Sequence, residues 1–246
     1  MAFPDNPLSL MVRKLAIHAD LSAADRLTLL GLPFAYRELD AGSYLVREGD
    51  VPDQCAVLVS GFGYRQKLTG DGSRQIVSIH LPGDPLDLQH LFLDIADHNV
   101  QTLTRAEVAI VPREALRRAA RSSEAISHAI LVHILIEASI FREWILNIGR
   151  RSSGARLAHL LCEFAARLDA IGLGRDSGYE LPMTQEQLAD ALGLTPVHVN
   201  RTLKALEDDG LITRHRRHVG FPAPSALRRM ADFDPRYLHL APQKSE

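Results

Sequence analysis

The chain has 246 residues, 46% of them hydrophobic and 24% charged, which is the composition of an ordinary globular protein with one large or two modest domains. Its two cysteines, Cys55 and Cys162, are too few for a disulfide framework or a four-cysteine zinc or iron–sulfur site, so we expect a reducing compartment. The net charge is −2, but residues 1–149 hold 14 basic against 18 acidic side chains and residues 150–246 hold 14 against 12, so positive charge lies towards the C-terminus.

The first part of the sequence changes from a helical to a strand pattern. Up to about residue 32, hydrophobic residues recur at helical spacing, and Ser22 with Asp25 suits a helix N-cap. Short runs rich in Val, Ile, Leu and Tyr then alternate with glycine-containing turns about every ten residues. We expect strands at residues 43–46, 55–59, 64–68, 75–81, 100–104 and 108–111. This spacing predicts an antiparallel jelly-roll sandwich or barrel.

Residues 123–149 form a long helical pattern with hydrophobic residues on two adjoining stripes. One stripe has the alternating spacing of a coiled-coil seam and contains Leu131, Ile134, Ala138, Phe141, Ile145 and Ile148. The other stripe contains Ile126, Ile130, Ile136, Ile140 and Trp144. Because such a helix needs two partners, we expect it to pack its own β-domain on one side and a symmetry-related copy on the other. The alternative is a central helix buried within a single domain.

No membrane segment is predicted. The hydrophobic stretch at residues 129–136 is interrupted by His133 and is far shorter than the roughly 20 residues that a spanning helix needs. The N-terminus lacks the basic and then hydrophobic pattern of a secretory leader. We therefore expect a soluble, cytoplasmic protein.

The most specific pattern begins at residue 183. Thr184 has the spacing of a capping box at the start of one short helix. Gly193 then supplies a turn, and Thr195, followed by a proline, begins a second helix, since the missing N–H of proline does no harm at the first helical position. The buried side of the second helix is expected to hold Val199, Leu203 and Leu206. This order of signals predicts a helix-turn-helix.

A basic hairpin follows the second helix. Residues 213–221 read as two short strands around Arg216 and Arg217, which is typical of the wing of a winged helix that contacts phosphates. The second helix also leaves an amide, an imidazole and a guanidinium away from its buried side, and such a helix fits the major groove of DNA. The alternative is a helical hairpin with solvated charges.

These parts, in this order, resemble the Crp/Fnr transcription regulators. The similarity is strongest over residues 183–221, in the runs Leu-Gly-Leu-Thr at 192–195, Val-Asn-Arg-Thr-Leu at 199–203 and Leu-Glu-Asp-Asp-Gly-Leu-Ile at 206–212. The resemblance implies an α+β chain of three parts. These are an N-terminal jelly-roll domain similar to cyclic nucleotide-binding domains (1–122), a dimerisation helix with a hinge (123–150), and a winged helix-turn-helix domain with a C-terminal tail (151–246).

The same resemblance implies a homodimeric, sequence-specific DNA-binding transcription regulator with a non-catalytic sensor domain. Its implied partners are double-stranded DNA with two-fold related half-sites, a second copy of the chain and RNA polymerase, with no membrane. The side chains expected at the DNA are Thr184, Gln185, Thr195, Pro196, Val197, His198, Asn200, Arg201, Lys204, Arg216 and Arg217.

Two departures from the family pattern bear on the effector. Members that bind cyclic AMP carry Gly-Glu-Leu and later Arg-Ser, whereas this chain has Asp87-Leu88-Gln89 and later His98-Asn99. Leucine cannot accept a ribose hydroxyl proton, and histidine replaces a bidentate arginine poorly. We therefore expect an effector pocket at Leu88, Gln89, His98 and Asn99 that does not bind cyclic AMP. Members with an iron–sulfur cluster hold it on four cysteines, which this chain lacks.

Other side chains have both a functional and a structural interpretation. His80, His90 and His98 fall in or near the β-domain, so haem or a metal is one interpretation and a chance grouping is the other. Cys162 fits a buried thiol better than a redox switch, and His133 fits an interface histidine better than a pH sensor. A haem-gated or small-ligand-gated regulator and a constitutive binder both stay open. The rival class is a cupin-like metal enzyme, although the His-x-His motif of cupins is absent.

Overall fold

The computed structural model describes residues 6–174 and 178–240, and these fall into two compact units. The first unit contains residues 6–67 and 78–138, and the second contains residues 68–77 and the described part of 139–240. Residues 172–179 are mostly polar or glycine, a composition that predicts a loop, and part of this predicted loop lies outside the described residues. None of the helices in the described ranges is long and apolar enough to cross a membrane.

Two short helices open the first unit, α1 (Ser9–His18) and α2 (Ala23–Leu30). The Ser22 side chain accepts a hydrogen bond from the backbone N–H of Asp25, and the Asp25 carboxylate accepts one from the backbone N–H of Ser22. This reciprocal cap satisfies two N–H groups that the first turn of a helix leaves unpaired, as the sequence predicts. Met11, Leu15 and Leu29 then bury their side chains in the core of the unit.

Seven strands form the β-domain. They are β1 (Ala35–Leu39), β2 (Tyr44–Val46), β3 (Gln54–Ser60), β4 (Gly63–Leu68), β5 (Arg74–His80), β6 (Asn99–Thr102) and β7 (Ala106–Pro112). Three of them make a sheet in the order β1-β7-β3, and four make a sheet in the order β2-β6-β4-β5. The pairs β1–β7, β3–β7, β2–β6 and β4–β6 are antiparallel. Two clusters of buried side chains form the core, and they contain Val57 and Leu58, respectively. The predicted jelly-roll class is confirmed.

Two elements of this unit were not predicted from the sequence patterns. Strand β1 leaves four of its five side chains exposed, so it lacks the alternation that marks a half-buried strand. Helix α3 (Arg113–Ser122) is rich in arginine and buries only Ala115, Leu116 and Ala119. Both elements depend on their neighbours, since β1 pairs with β7 and α3 follows β7 directly.

The long helix α4 (Glu124–Arg150) agrees with the predicted range to within one residue at each end. Helix α5 (Ser153–Ala170) follows after a short break, and Ser152 caps it by accepting a hydrogen bond from the N–H of Ala155. Glu163 of α5 is buried and accepts hydrogen bonds from Trp144 Nε1 of α4, at 3.2 and 3.0 Å, and from the Tyr237 hydroxyl, at 2.7 Å. These bonds satisfy the buried carboxylate that joins the helices of the second unit.

The rest of the second unit is a small α+β arrangement. Its elements are β8 (Tyr179–Glu180), α6 (Gln185–Leu192), α7 (Pro196–Asp208), β9 (Thr213–His215), β10 (His218–Gly220), α8 (Pro224–Met230) and a final 3₁₀ turn (Pro235–Leu238). The strands form a sheet in the order β8-β10-β9, and Leu188, Leu203 and Ile212 are among the buried side chains. This is the winged helix-turn-helix that the sequence predicts.

Candidate nucleic-acid interface and sensor pocket

The turn between α6 and α7 is fixed by local chemistry. Thr184 and Gln187 cap α6 reciprocally, and Thr195 caps α7 by accepting a hydrogen bond from the N–H of His198. Gly193 ends α6 with φ at +63°, a left-handed conformation that costs glycine little. The Thr184 and Thr195 side chains, both predicted to face DNA, therefore serve first as helix caps.

Helix α7 separates buried from exposed side chains as its spacing predicts. Val199, Leu203 and Leu206 are almost wholly buried, and Thr202 joins them by donating its hydroxyl hydrogen to the His198 carbonyl at 2.8 Å. The opposite side is exposed and includes Val197, which is 79% accessible, while His198 is half-buried. The other exposed residues of this side are Pro196, Asn200, Arg201 and Lys204. This side offers polar and cationic groups from the N-terminal half of a helix, as a major-groove reader requires.

One hydrogen bond links the exposed sides of the two helices. Gln185 Nε2 of α6 donates to Asn200 Oδ1 of α7 at 3.3 Å. The bond orients the Asn200 amide and leaves its NH₂ group as a donor for an outside acceptor. Among the described residues, Arg201 and Lys204 have no acidic partner, so their charges are directed to solvent.

The wing places basic side chains at a tight turn. Strands β9 and β10 are joined by Arg216 and Arg217, and Arg216 has φ at +56°, which is uncommon for a residue with a side chain. Arg217 is exposed but donates to the Pro182 carbonyl at 2.8 Å, so its guanidinium also holds the wing to the segment before α6. Arg214 pairs with Glu207 at 2.9 Å and is engaged within the fold.

The outer side of α4 carries exposed hydrophobic side chains. Leu131 and Ile145, both on the predicted seam, are 51% and 72% accessible, whereas Ile134, Ala138, Phe141 and Ile148 are half-buried. Leu135 and Leu146, which the predicted seam omits, are exposed as well. On the other stripe Ile126, Ile130, Ile140 and Trp144 are buried and Ile136 is half-buried. The exposed side is therefore rotated slightly from the expected seam, because Ile134 packs against its own core.

The predicted effector pocket contains a buried charged network. Arg65 of β4 donates to Asp87 Oδ1 from Nε at 3.1 Å and from Nη2 at 2.5 Å, and its Nη2 lies 3.4 Å from Glu137 Oε1 of α4. His98 Nε2 lies 3.0 Å from the same Asp87 oxygen, and Gln89 Nε2 donates to it at 3.0 Å. Arg65, Asp87 and His98 are each less than 5% accessible.

The electrostatics of this network are set by pairing. Burial would raise the pKa of Asp87, but the Arg65 charge and the His98 hydrogen bond outweigh it and hold that pKa well below its usual range. Burial likewise opposes the charged form of His98, yet its hydrogen bonds to Asp87 and Asp97 give a net rise in its pKa. The network therefore favours ionised Asp87 beside a protonated His98.

The four predicted pocket residues have different surroundings. Gln89 and His98 converge on Asp87 as described, whereas Leu88 is buried in the hydrophobic core of the unit. Asn99 accepts a hydrogen bond from the backbone N–H of Glu48 at 3.1 Å and so fixes a neighbouring turn. Sequence reasoning did not single out Arg65, Glu137 or Asp87 as pocket residues. An arginine within a predicted strand was the available signal for the first.

Comparison with known proteins assigns both units. Residues 36–123 match the cyclic nucleotide-binding domain model, and residues 155–230 match the Crp-like helix-turn-helix domain model. The chain is 30% identical over 212 residues to the transcriptional activator protein FnrL of Cereibacter sphaeroides, covering 85% of this chain and 84% of FnrL. The chain belongs to the Crp/Fnr family. It is also 29% identical to the nitrogen fixation regulation protein FixK of Azorhizobium caulinodans, over 92% of this chain and 90% of FixK.

The Crp/Fnr fold is equally clear from structure. FixK2 from Bradyrhizobium japonicum superposes with a TM-score of 0.75 at 24% sequence identity, covering 81% of this chain and 98% of FixK2. The predicted resemblance is thus confirmed, and the chain is a transcription regulator with a DNA-binding helix-turn-helix domain.

Both cysteines of this Crp/Fnr chain are buried, and burial raises the pKa of the Cys162 thiol to about 12, so it is an unreactive thiol near neutral pH.

Proposed function

We propose that this chain is a homodimeric, sequence-specific DNA-binding regulator whose N-terminal domain senses a signal other than cyclic AMP. The observation that carries the proposal is the exposed side of α7, which combines solvated cations with polar groups next to a basic wing. Its proposed site of action is chromosomal DNA in the cytoplasm, with RNA polymerase as a further partner. Several relatives are named transcriptional activators, which supports activation as the output.

Base readout is assigned to the N-terminal half of α7. Arg201 is exposed and long enough for two hydrogen bonds to guanine O6 and N7. Asn200, oriented by Gln185, donates to an acceptor on a neighbouring base, and His198 is the other candidate reader. Lys204 and Arg216 neutralise phosphates, and Arg217 does so only in addition to holding Pro182.

Dimerisation is assigned to the exposed side of α4. Isolated exposed hydrophobic residues are common on proteins, but Leu131, Leu135 and Ile145 recur along one helix at the spacing of a seam. A second copy related by a two-fold axis would cover them with the same residues. Two recognition helices would then read half-sites about 34 Å apart, one turn of DNA.

The proposal against cyclic AMP is supported by the ion pairs of the pocket. The guanidinium of Arg65 is already bound by Asp87 and Glu137, and His98 is held between Asp87 and Asp97. A cyclic phosphate would meet the carboxylate of Asp87 and would have to displace it from Arg65. This exchange removes one buried charge pair for each new one, so little net binding energy is gained.

Selection of bound sequences from a random DNA pool tests the proposed function. The full chain should enrich a two-fold symmetric motif with half-site centres about one DNA turn apart. Repeating the selection with small molecules from a cell extract shows whether binding is gated. Recovery of no motif, or of a single asymmetric half-site, would contradict the proposal of a dimeric reader.

A further inference from the structure

Three metal-ligating side chains meet inside the β-domain. Asp87, His90 and His98 each place one ligand atom within 4.8 Å of the other two. Their side chains are almost completely buried, with accessibilities of 3%, 3% and 4%. Asp87 has φ at +63° just before the 3₁₀ helix Leu88–Leu91, so that turn carries both Asp87 and His90, and His98 immediately precedes β6. The backbone itself assembles the cluster.

The Asp87 carboxylate has one oxygen engaged and one to spare. Oδ1 accepts the hydrogen bonds from Arg65, Gln89 and His98. Oδ2 is buried and has no hydrogen-bond partner among the residues that the structure describes. A buried carboxylate oxygen without a partner is costly, because it has lost its hydration. A cation at Oδ2 would satisfy that oxygen without removing Arg65 from Oδ1.

The two imidazoles are oriented as metal-bound histidines usually are. His90 Nδ1 lies 3.3 Å from the Leu93 carbonyl and His98 Nδ1 lies 2.6 Å from Asp97 Oδ1, so each Nδ1 carries hydrogen and donates it. The ligand nitrogen of a neutral ring is then Nε2. Within residues 6–174 and 178–240, no group hydrogen-bonds the buried His90 Nε2. The rings lie nearly parallel, with centroids 5.8 Å apart.

We propose that Asp87, His90 and His98 bind one divalent transition-metal ion. Two imidazole nitrogens and one carboxylate oxygen suit Zn²⁺, Fe²⁺, Co²⁺ or Ni²⁺ rather than Mg²⁺ or Ca²⁺, which take oxygen ligands. Around a tetrahedral ion with bonds of about 2.1 Å, the ligand atoms are about 3.4 Å apart. Side-chain rotations that move each ligand atom by about 1 Å would therefore bring all three within bonding distance of one ion. Three protein ligands leave a coordination position open. The ion replaces the proton on His98 Nε2, which leaves to solvent.

The charge of the surroundings is compatible with a cation. Arg65 is the buried cation paired with Asp87 and Glu137, and Lys67 acts on Asp97. Once His98 has given up its proton to the solvent, the carboxylates of Asp87, Glu137 and Asp97 outnumber these two basic side chains. His80 is not one of the three convergent ligands, although its charge acts on Asp87. The site is therefore a defined set of three ligands with Asp97 and the Leu93 carbonyl orienting the two rings.

Titration of the full chain with Co²⁺, after chelator treatment and without DNA, tests this site. Calorimetry should show one ion per chain, and the ligand-field absorption of Co²⁺ should report nitrogen and oxygen ligands. Zn²⁺ should compete for the same site. Because no DNA is present, the result does not depend on the proposed function.

Matched variants separate the site from adventitious binding. His90→Gln should weaken Co²⁺ binding at least about tenfold, and Asp97→Asn should weaken it by about 10–100-fold through the orientation of His98. His128→Gln, an exposed histidine of α4, should leave it unchanged. Circular dichroism establishes that each variant is folded. Absence of saturable Co²⁺ binding by the unaltered chain, or equal affinity in folded His90→Gln and the unaltered chain, would overturn the proposal.

Discussion

Arg65 and Arg201 carry the same guanidinium into opposite surroundings. Arg65 is 3% accessible and bound by Asp87 and Glu137, so it holds a strand, a turn and the first half of α4 together. Arg201 is exposed on α7, and no acidic side chain in the described part of the chain pairs with it. The first unit therefore uses its buried charges for internal structure, whereas the second leaves charges unpaired for a partner. Removing Arg65 should therefore lower the stability of the fold, whereas removing Arg201 should change the binding of DNA.

The largest effect on stability is expected from Arg65→Ala. The substitution removes the cation from the buried carboxylate of Asp87 and from the half-buried carboxylate of Glu137, which should lower the free energy of unfolding by about 3–5 kcal/mol in chemical denaturation. Arg37→Ala, at an exposed position of β1, is the matched control and should change it by less than about 0.5 kcal/mol. If both variants lost the same small amount of unfolding free energy, the buried ion pairs of Arg65 would not contribute more to stability than the exposed charge of Arg37.

Ile145→Glu tests whether the exposed side of α4 is covered by a second copy. In the isolated chain Ile145 is 72% accessible, so a charge there costs little, but in the proposed dimer two such charges would be buried. We expect the dimer dissociation constant to rise by at least about 100-fold in sedimentation experiments. Ile145→Leu should leave it nearly unchanged. A chain that is already monomeric at micromolar concentration would contradict the proposed seam.

Acid should weaken the second unit through His159. Burial and the Arg151 charge lower the pKa of this histidine to about 3, while Glu143 Oε1 lies 3.3 Å from its Nε2 outside hydrogen-bond geometry. When the pH falls below the ordinary histidine pKa of about 6.5, His159 binds a proton in the unfolded chain but not in the folded chain. The free energy of unfolding therefore decreases as the pH is lowered. At pH 5 the loss is about 2 kcal/mol.

The control for this prediction is His159→Phe, which keeps a ring against Tyr237 and Phe233 but has no proton to bind. Its unfolding free energy, measured by denaturant titration from pH 7 to pH 5, should vary less than that of the unaltered chain. Parallel pH profiles for the two proteins would show that His159 does not carry the acid sensitivity.

The helix-turn-helix could be predicted because its signals are local. Thr184, Gly193 and Thr195 each act on residues within four positions, and hydrogen bonds between near neighbours follow from spacing alone. The charged network could not be predicted in the same way, since Arg65, Asp87 and Glu137 come together only when strands and α4 pack. Strand β1 was missed for a related reason, because its pairing with β7, and not its own pattern, makes it a strand.

Cyclic AMP should have the smallest effect of all. Calorimetry with the full chain should detect no cyclic AMP binding at micromolar concentrations, and the affinity for a selected DNA site should not change, because Arg65 and His98 are already paired. Micromolar binding together with a matching change in DNA affinity would mean that the ion pairs open for the nucleotide. The buried charges of Arg65 and His98 would then bind a ligand, as the exposed charges of α7 are proposed to bind DNA.

The base preferences of Arg201→Ala and Lys204→Ala, measured on the selected DNA site, test whether Arg201 reads the DNA sequence. Both side chains are exposed on α7 and alanine suits a helix at either position, so the two variants differ mainly in what they remove. Arg201→Ala should relax the preference for guanine at one base pair per half-site, equivalent to about 1–3 kcal/mol. Lys204→Ala should weaken binding to all sequences alike and reduce the salt dependence by about one counterion per half-site. The same uniform loss in both variants, with the guanine preference intact, would contradict the assignment of Arg201 as the residue that reads the sequence.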